Sequence, residues 1–424
     1  MLTFLIENFG CRASQADGAA IESLLKSRGL SPASQPGTAE IVILNTCTVT
    51  AAADADVRSA IRSAHRTNPD AKILVTGCYA QRDPEAISVL PGVEWVVGNS
   101  HKAQIADMLA DMLAGVPYHG GVYSSDIFDT ESLMTAPVID ALADRARPNL
   151  KVQDGCNNRC SFCIIPFVRG RSRFVPAEET IAQVRALSKR YREVVLTGIN
   201  LGRWGREPGS NQRLPDLLRR ILDETEIDRI RLSSIEPMDW SDALIELIAS
   251  TDRIARHVHM PLQSGSDQIL RRMHRKYRPR HYADRLLKAH AAIPDAGIGA
   301  DVMTGFPGET DELFEESKAF IESLPFTYLH VFTYSERPGT PAASMPDSVP
   351  VPVRKERTRI LRELGDRRNR EFRQRMQGRQ LQAVTLEQPG LALTSNYLHV
   401  EVEDWQHANR MIEVGQASRL PVLP

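Results

Sequence analysis

The six cysteines of this chain fall into two sets of three. In one set, Cys156-Asn157-Asn158-Arg159-Cys160-Ser161-Phe162-Cys163, three thiols stand within eight residues. Three thiolates so spaced can hold three corners of a [4Fe–4S] cube and leave the fourth iron open, because no further cysteine lies nearby. An iron without a protein ligand is a place for chemistry. Structural zinc is the alternative occupant, but a closed zinc site wants four ligands, and no histidine flanks this loop to complete it. Six cysteines in 424 residues, with no signal peptide, read as cytosolic thiols and not as a disulfide framework.

The other set, Cys11, Cys47 and Cys78, has one cysteine per segment, each just past an apolar run: 1–6, 41–44 and 72–76. These runs predict buried parallel strands separated by helices near 15–30 and 52–67. Ligands of an open α/β sheet gather beyond the carboxyl ends of its strands, so three strand-end cysteines can converge on one site. One such cysteine alone reads as a small buried hydrophobe. Three at equivalent positions point to a second three-thiolate cluster.

The C-x3-C-x2-C spacing, with aromatic Phe162 before the last cysteine, resembles the signature of the radical S-adenosylmethionine (SAM) superfamily. That resemblance implies SAM chelated at the open iron and split by one electron into methionine and a 5′-deoxyadenosyl radical, with the protein positioning the cofactor and excluding side reactions. The surroundings of the cysteines narrow the family. Asn8-Phe-Gly-Cys11, Asn45-Thr-Cys-Thr-Val-Thr50, Val75-Thr-Gly-Cys-Tyr-Ala-Gln81 and Gln153-Asp-Gly-Cys156 together resemble the methylthiotransferases, which use two [4Fe–4S] clusters and SAM. The Asn45–Thr50 and Gly77–Gln81 forms are similar to the MtaB branch, whose substrate is N6-threonylcarbamoyladenosine beside the tRNA anticodon. The implied reaction spends one SAM on methylating a sulfur held at the Cys11/Cys47/Cys78 cluster. A second SAM generates the radical that opens C2 of the adenine. Partners implied with it are the tRNA anticodon stem-loop, a low-potential electron donor of flavodoxin or ferredoxin type, and a sulfur donor. Alternatives are a methylthiotransferase acting on isopentenyladenosine in tRNA or on an aspartate of a ribosomal protein, and, from a different class, a non-catalytic iron–sulfur RNA-binding redox sensor.

Elements must hold these residues in place, and the pattern predicts an α/β protein. Residues 1–115 read as a Rossmann-like open parallel sheet, 116–147 as a connecting region, and 148–377 as apolar strands alternating with amphipathic helices. Such alternation implies a parallel sheet curled into a partial (β/α) barrel, which the resemblance assigns to the radical SAM fold. The carboxyl ends of its strands then carry the chemistry. They present Thr197-Gly-Ile-Asn200, Ser233-Ser-Ile-Glu236, Pro261-Leu-Gln-Ser-Gly265 and Thr304-Gly-Phe-Pro-Gly308. The resemblance places Phe162 among the residues that bind the cofactor, Thr197, Gly198 and Asn200 on the methionine side of SAM, Glu236 and Gln263 on its ribose and adenine side, and Asp301 close to the active site. His257 and His259 alternate with hydrophobes on one strand, and one of them reads as a packed, hydrogen-bonded residue of the barrel interior and not a ligand. Residues 378–424 resemble a TRAM domain, a small all-β barrel, although acidic residues outnumber basic ones there.

The net charge of −1 conceals an asymmetry. Residues 1–150 carry 11 Lys and Arg against 17 Asp and Glu, whereas the remainder carries 41 against 36. The basic excess is densest at Arg271–Arg280 and along a helix predicted over 353–377, where an RNA partner would need it. No apolar run approaches the ~20 residues of a membrane span. The composition is ordinary for a soluble globular protein; no membrane association is expected, and a cytoplasmic location is.

Overall fold

Every residue of the run Ile41–Thr46 is buried, as happens when a strand is covered on both faces. The computed structural model describes residues 2–116, 119–130, 133–134, 146–206, 209–403 and 407–415. Much of the expected connecting region therefore lies outside the described residues, as do 404–406 and 416–424 of the C-terminal segment. The chain divides into two compact units. The first comprises 1–144, 149–158 and 163–176, and the second 145–148, 159–162 and 177–424.

In the first unit β1 (Thr3–Asn8), α1 (Arg12–Ser27), β2 (Ser31–Pro32), β3 (Ile41–Thr46), α2 (Ala51–Thr67), β4 (Lys72–Gly77), α3 (Cys78–Arg82), α4 (Pro84–Ser88), β5 (Val93–Gly98), α5 (Ile105–Leu113) and β6 (Gly121–Tyr123) follow in order. The six strands are parallel, in the order β2-β1-β3-β4-β5-β6. Alternate residues feed two cores, as strand geometry requires. Ile43, Leu74 and Trp95 join Ile21, Leu25 and Leu109 on one face, while Val42, Val75 and Val96 join Val57 and Ile61 on the other. Helix α2 starts where the Thr50 side chain accepts from the Ala53 N–H, and His65 and Arg66 sit in its last turn, which suits its dipole. The unit is completed by β7 (Asn149–Asp154), α6 (Ile165–Arg169) and β8 (Arg173–Phe174), with β7 and β8 antiparallel.

The second unit alternates α7 (Ala177–Ser188), β9 (Glu193–Gly198), α8 (Leu214–Glu224), β10 (Arg229–Leu232), α9 (Asp242–Ala249), β11 (His257–His259), α10 (Asp267–Arg272), α11 (Pro279–Ala292), β12 (Gly297–Thr304), α12 (Asp311–Glu322) and β13 (Tyr328–Thr333). Strand β9 pairs in parallel with β10, and β11, β12 and β13 pair in parallel in sequence. Helix α13 (Val351–Met376) packs on β13, with Gly365 leaving room for Leu329. The chain ends in β14 (Leu381–Thr385), β15 (Leu391–Thr394), β16 (His399–Glu401) and β17 (Met411–Val414), an antiparallel sheet in the order β16-β15-β14-β17.

Two arginines tie this terminal sheet to the strands before it. Arg229 and Arg231, both fully buried on β10, converge on the buried carboxylate of Glu193 on β9. They also donate to main-chain carbonyls of the terminal sheet, Arg231 to Thr394 at 2.9 Å and Arg229 to Leu393 at 3.2 Å. Burial opposes the charge on Glu193, and the two guanidinium groups reverse that effect, holding its carboxyl well below the ordinary range. Removing one partner of a buried ion pair strands the other charge without water. Glu193→Leu is therefore expected to lower the unfolding free energy by about 3–5 kcal/mol in urea titration. A change within about 0.5 kcal/mol, the range of an ordinary surface substitution, would contradict that reading.

Candidate active site

The three cysteines of the first unit stand where β1, β3 and β4 end. The sheet order reverses between β1 and β3, and open α/β sheets take their ligands in the crevice at such a reversal. Cys11 is the N-cap of α1, Cys47 follows β3, and Cys78 opens α3. Two glycines allow these segments to close in. At Gly10, with φ +96°, a Cβ would lie 2.8 Å from Cys47 Sγ, and at Gly77, with φ +98°, a Cβ would lie 2.4 Å from the Thr46 carbonyl oxygen. Burial, with repulsion from Cys78 and Cys11, pushes the Cys47 thiol up to about 12. The three sulfurs thus share one electrostatic environment, and a thiol so reluctant to ionise alone becomes a thiolate when a metal takes it. The donor set fits an iron–sulfur cluster.

Behind Cys78 lies a group of charges that the sequence reading did not single out. Arg169, at the end of α6, places Nε 3.3 Å from Cys78 Sγ. Its Nη1 donates to both oxygens of Asp154 at 2.9 and 3.1 Å, and its Nη2 donates to Ser14 Oγ and Asp17 Oδ2, each at 3.1 Å. Lys102 donates to Asp17 at 2.9 Å, and Lys151 donates to Asp154 at 2.9 Å and also to Asp17. All five side chains are buried. Burial alone would raise the Asp17 carboxyl, but Lys102, Lys151 and Arg169 hold it well below the usual range; Arg169 and Lys151 do the same for Asp154.

The second cysteine set sits on the loop after β7. In the first unit, the Cys156 N–H donates to the Gly170 carbonyl at 3.1 Å, and the Asn158 N–H approaches Cys156 Sγ at 3.4 Å. Gly155, at φ +71°, leaves a Cβ only 2.0 Å from the Arg171 carbonyl, so the turn into the loop requires glycine. Within the second unit, Ser161 is fixed by its N–H and Oγ to the carbonyls of Met273 and Arg272 at 3.1 and 2.8 Å. Buried Arg275 brings Nη1 to 3.2 Å from Cys160 Sγ and pairs with Glu236 through Nη2. Phe162 packs edge-on against Phe306, centroids 6.5 Å apart.

The strand ends of the second unit carry the remaining predicted residues. Thr197 and Gly198 close β9, and Asn200 follows them; Thr197 and Asn200 are buried. Gln263, after β11, holds φ at +66°, a backbone conformation rare outside glycine, and is pinned by bonds from its N–H to the Asp301 carbonyl and from the Met303 N–H to its own carbonyl, both 2.8 Å. Among the described residues, the buried Gln263 Oε1 and Ser233 Oγ have no hydrogen-bond partner. Buried polar atoms are normally paired, so orphans at the strand ends fit a polar ligand such as SAM. Asp301 lies mid-strand on β12, its Oδ1 3.5 Å from His259 Nε2 and 3.4 Å from His330 Nδ1. His259 is in turn held at Nδ1 by Ser234 Oγ at 2.7 Å, and His257 Nε2 meets the Tyr328 hydroxyl at 2.7 Å. Both histidines thus share one strand face, as residues two apart must.

The basic stretches are less free than their composition suggests. Arg275 is buried, and on α13 so are Arg354 and Arg357. Arg359 pairs with Glu356 and Glu363, and Arg362 donates to the Val331 carbonyl. Arg370 and Arg375 are exposed.

Comparison with known proteins agrees with this arrangement. Residues 150–321 match the Radical SAM superfamily, and residues 3–98 match the Uncharacterized protein family UPF0004. The threonylcarbamoyladenosine tRNA methylthiotransferase MtaB of Aquifex aeolicus is 36% identical over 96% of this chain and 98% of its own length. The protein of the same name from Bacillus subtilis is 39% identical over 91% of this chain and 85% of its own length. Among solved structures, the radical S-adenosylmethionine methyltransferase TsrM from Kitasatospora setae superposes with a TM-score of 0.62 at 16% identity, covering 81% of this chain and 77% of that one, a likeness of fold.

The buried carboxylates carry a pH dependence. Asp17 and Asp154 ionise at lower pH in the fold than in the unfolded chain, so their contribution to stability is complete above the unfolded carboxylate value of about 3.9 and is lost as pH falls below it. Between about pH 5 and pH 3 the urea midpoint of the metal-free protein is expected to fall more steeply than that of the Asp17→Asn/Asp154→Asn double variant. Equal slopes would show that these carboxylates do not carry the acid sensitivity.

Proposed function

The chain belongs to the radical SAM methylthiotransferases, and on that footing we propose that it places a methylthio group on C2 of N6-threonylcarbamoyladenosine beside the tRNA anticodon. Its cofactors are two [4Fe–4S] clusters and SAM. When bound, they supply the electron, the hydrogen-abstracting adenosyl radical and the methylated sulfur. The observation that carries the reading is the gathering of Cys11, Cys47 and Cys78 at the sheet reversal, in a chain that also has the C-x3-C-x2-C loop. A sensor or an ordinary α/β core has no use for both.

In this reading Cys156, Cys160 and Cys163 hold the cluster that meets SAM, and Cys11, Cys47 and Cys78 hold the auxiliary one. Thr197, Gly198, Asn200, Glu236 and Gln263 bind SAM, the orphaned Gln263 Oε1 accepting a hydrogen bond from it. Phe162 packs behind the loop, and Asp301, oriented by His259 and His330, faces the reacting groups as a polar residue. Residues 1–115 form the methylthiotransferase domain, 116–147 connect, 148–377 form the radical SAM domain with its basic helix, and 378–424 form the TRAM-like domain. The tRNA anticodon stem-loop is the substrate partner; a flavodoxin- or ferredoxin-type donor brings the electron, and a separate donor the sulfur. An unstacked loop base suits such a site, because it can be turned out of its strand. The described helices include none long and apolar enough to cross a membrane.

The test is anaerobic reconstitution with iron and sulfide, then incubation with reductant, SAM and an anticodon-loop RNA carrying threonylcarbamoyladenosine. Mass spectrometry of the digested nucleosides is expected to show one added methylthio group, with 5′-deoxyadenosine released. Cys160→Ala is expected to abolish both products. Cys47→Ala is expected to keep deoxyadenosine release and lose the modified nucleoside. Modification of an isopentenyladenosine loop in preference to this one would overturn the substrate assignment.

A further inference from the structure

Among the described residues, Arg169 is the one side chain that both hydrogen-bonds an auxiliary-set sulfur and belongs to the buried charge group behind it. Lys102, Lys151 and Arg169 face Asp17 and Asp154, and Arg173 adds its charge beside Asp154, so basic side chains outnumber acidic ones in this buried group. A buried unbalanced charge is costly unless a counter-charge arrives. Three thiolates around an oxidised [4Fe–4S] core leave a single net negative charge, and one-electron reduction makes it two. The protein group and the cluster are therefore opposite in sign, and a sulfur carried on the open iron would add to the negative side. The Arg275 environment in the second unit differs, because Glu236 already balances that arginine.

We infer that Asp17, Lys102, Lys151, Asp154 and Arg169 form the counter-charge of the auxiliary cluster, and that Arg169, through its Nε–H on Cys78 Sγ, is the positioning residue that raises the cluster's reduction potential. This rests on the assignment of Cys11, Cys47 and Cys78 made above. Hydrogen bonds to cluster sulfurs and nearby charge are two of the levers by which proteins set such potentials. Both favour the more negative, reduced form, and Arg169 supplies them together. Asp154 and Asp17 fix the plane of the guanidinium so that Nε, and not a terminal nitrogen, meets the sulfur. Lys102 adds charge but is bonded to Asp17.

The experiment is a dithionite-poised redox titration, followed by electron paramagnetic resonance, on the full-length reconstituted protein and its Arg169→Gln and Arg169→Lys variants. The two signals are told apart by adding a SAM analogue that can neither be cleaved nor donate its methyl group, which perturbs only the cluster whose open iron it chelates. Arg169→Gln is expected to shift the one-electron equilibrium of the auxiliary cluster at least tenfold toward the oxidised form, which is 59 mV. Arg169→Lys keeps the charge without the fork and is expected to fall between, while the analogue-responsive signal stays in place. An auxiliary potential unmoved in both variants at unchanged iron content overturns the inference, as does loss of that cluster in both, which would assign Arg169 to holding the fold alone. Cys78→Ser is titrated in parallel. If it retains the iron and both signals of the parent protein, the cluster assignment itself fails, an outcome distinct from an unmoved potential.

Discussion

Five buried charged side chains joined in one network constrain how the segments of the first unit can be placed. Asp17 comes from α1, Lys102 from the turn after β5, Lys151 and Asp154 from β7, and Arg169 from α6. A displacement of any of these segments by an ångström or two would leave a charge facing apolar neighbours, a state far more costly than a lost hydrophobic contact. Apolar cores tolerate some slippage because one methyl replaces another at little cost. Charged ones do not. The network therefore fixes how β7 and the loop following it run past α1, and with them the placement of Cys78 against Ile164 and Val168.

The same device recurs on a smaller scale in the second unit. Arg275 joins Cys160 to Glu236 and stacks over the Tyr277 ring, whose hydroxyl donates to the carbonyls of Pro261 and Leu262. A sulfur, a carboxylate after β10 and the backbone just before Gln263 are thus linked through two side chains. The left-handed backbone of Gln263 is held from both sides by strand β12, so its strain is borne by the sheet.

What the sequence disclosed follows a physical division. The cysteine spacing and the apolar runs ending at Cys11, Cys47 and Cys78 are local signals, and the strands and helices read from them fall within a few residues of those observed. The helix predicted over 353–377 is found at Val351–Met376. Helix α11 escaped notice because its first turn lies in the Arg271–Arg280 stretch, whose charge masks the apolar face of Tyr282, Leu286 and Ala289. Strands β15 and β17 are only four residues each, too short for alternation to stand out. Arg169 and Arg275 could not be recognised as sulfur partners from their own segments. One lies 91 positions from Cys78 and the other 115 from Cys160, and nothing local distinguishes a buried arginine from a solvated one. Arg275 even read as part of an RNA-facing patch.

The joint made by Glu193, Arg229 and Arg231 bears on how the C-terminal sheet can be studied. Cutting the chain after residue 377 would remove the carbonyl oxygens of Leu393 and Thr394 that these guanidinium groups bond, and with them Tyr397, which stacks on His257 at 4.3 Å. Such a truncation would uncover polar groups beneath β10 and β11 at the same time as it deleted any RNA contact. Loss of tRNA binding in the shortened protein would therefore report damage around β10 and β11 as readily as a missing recognition module. Substitutions on the outward face of the sheet, at Glu401 or Glu413, separate the two effects because both side chains are exposed.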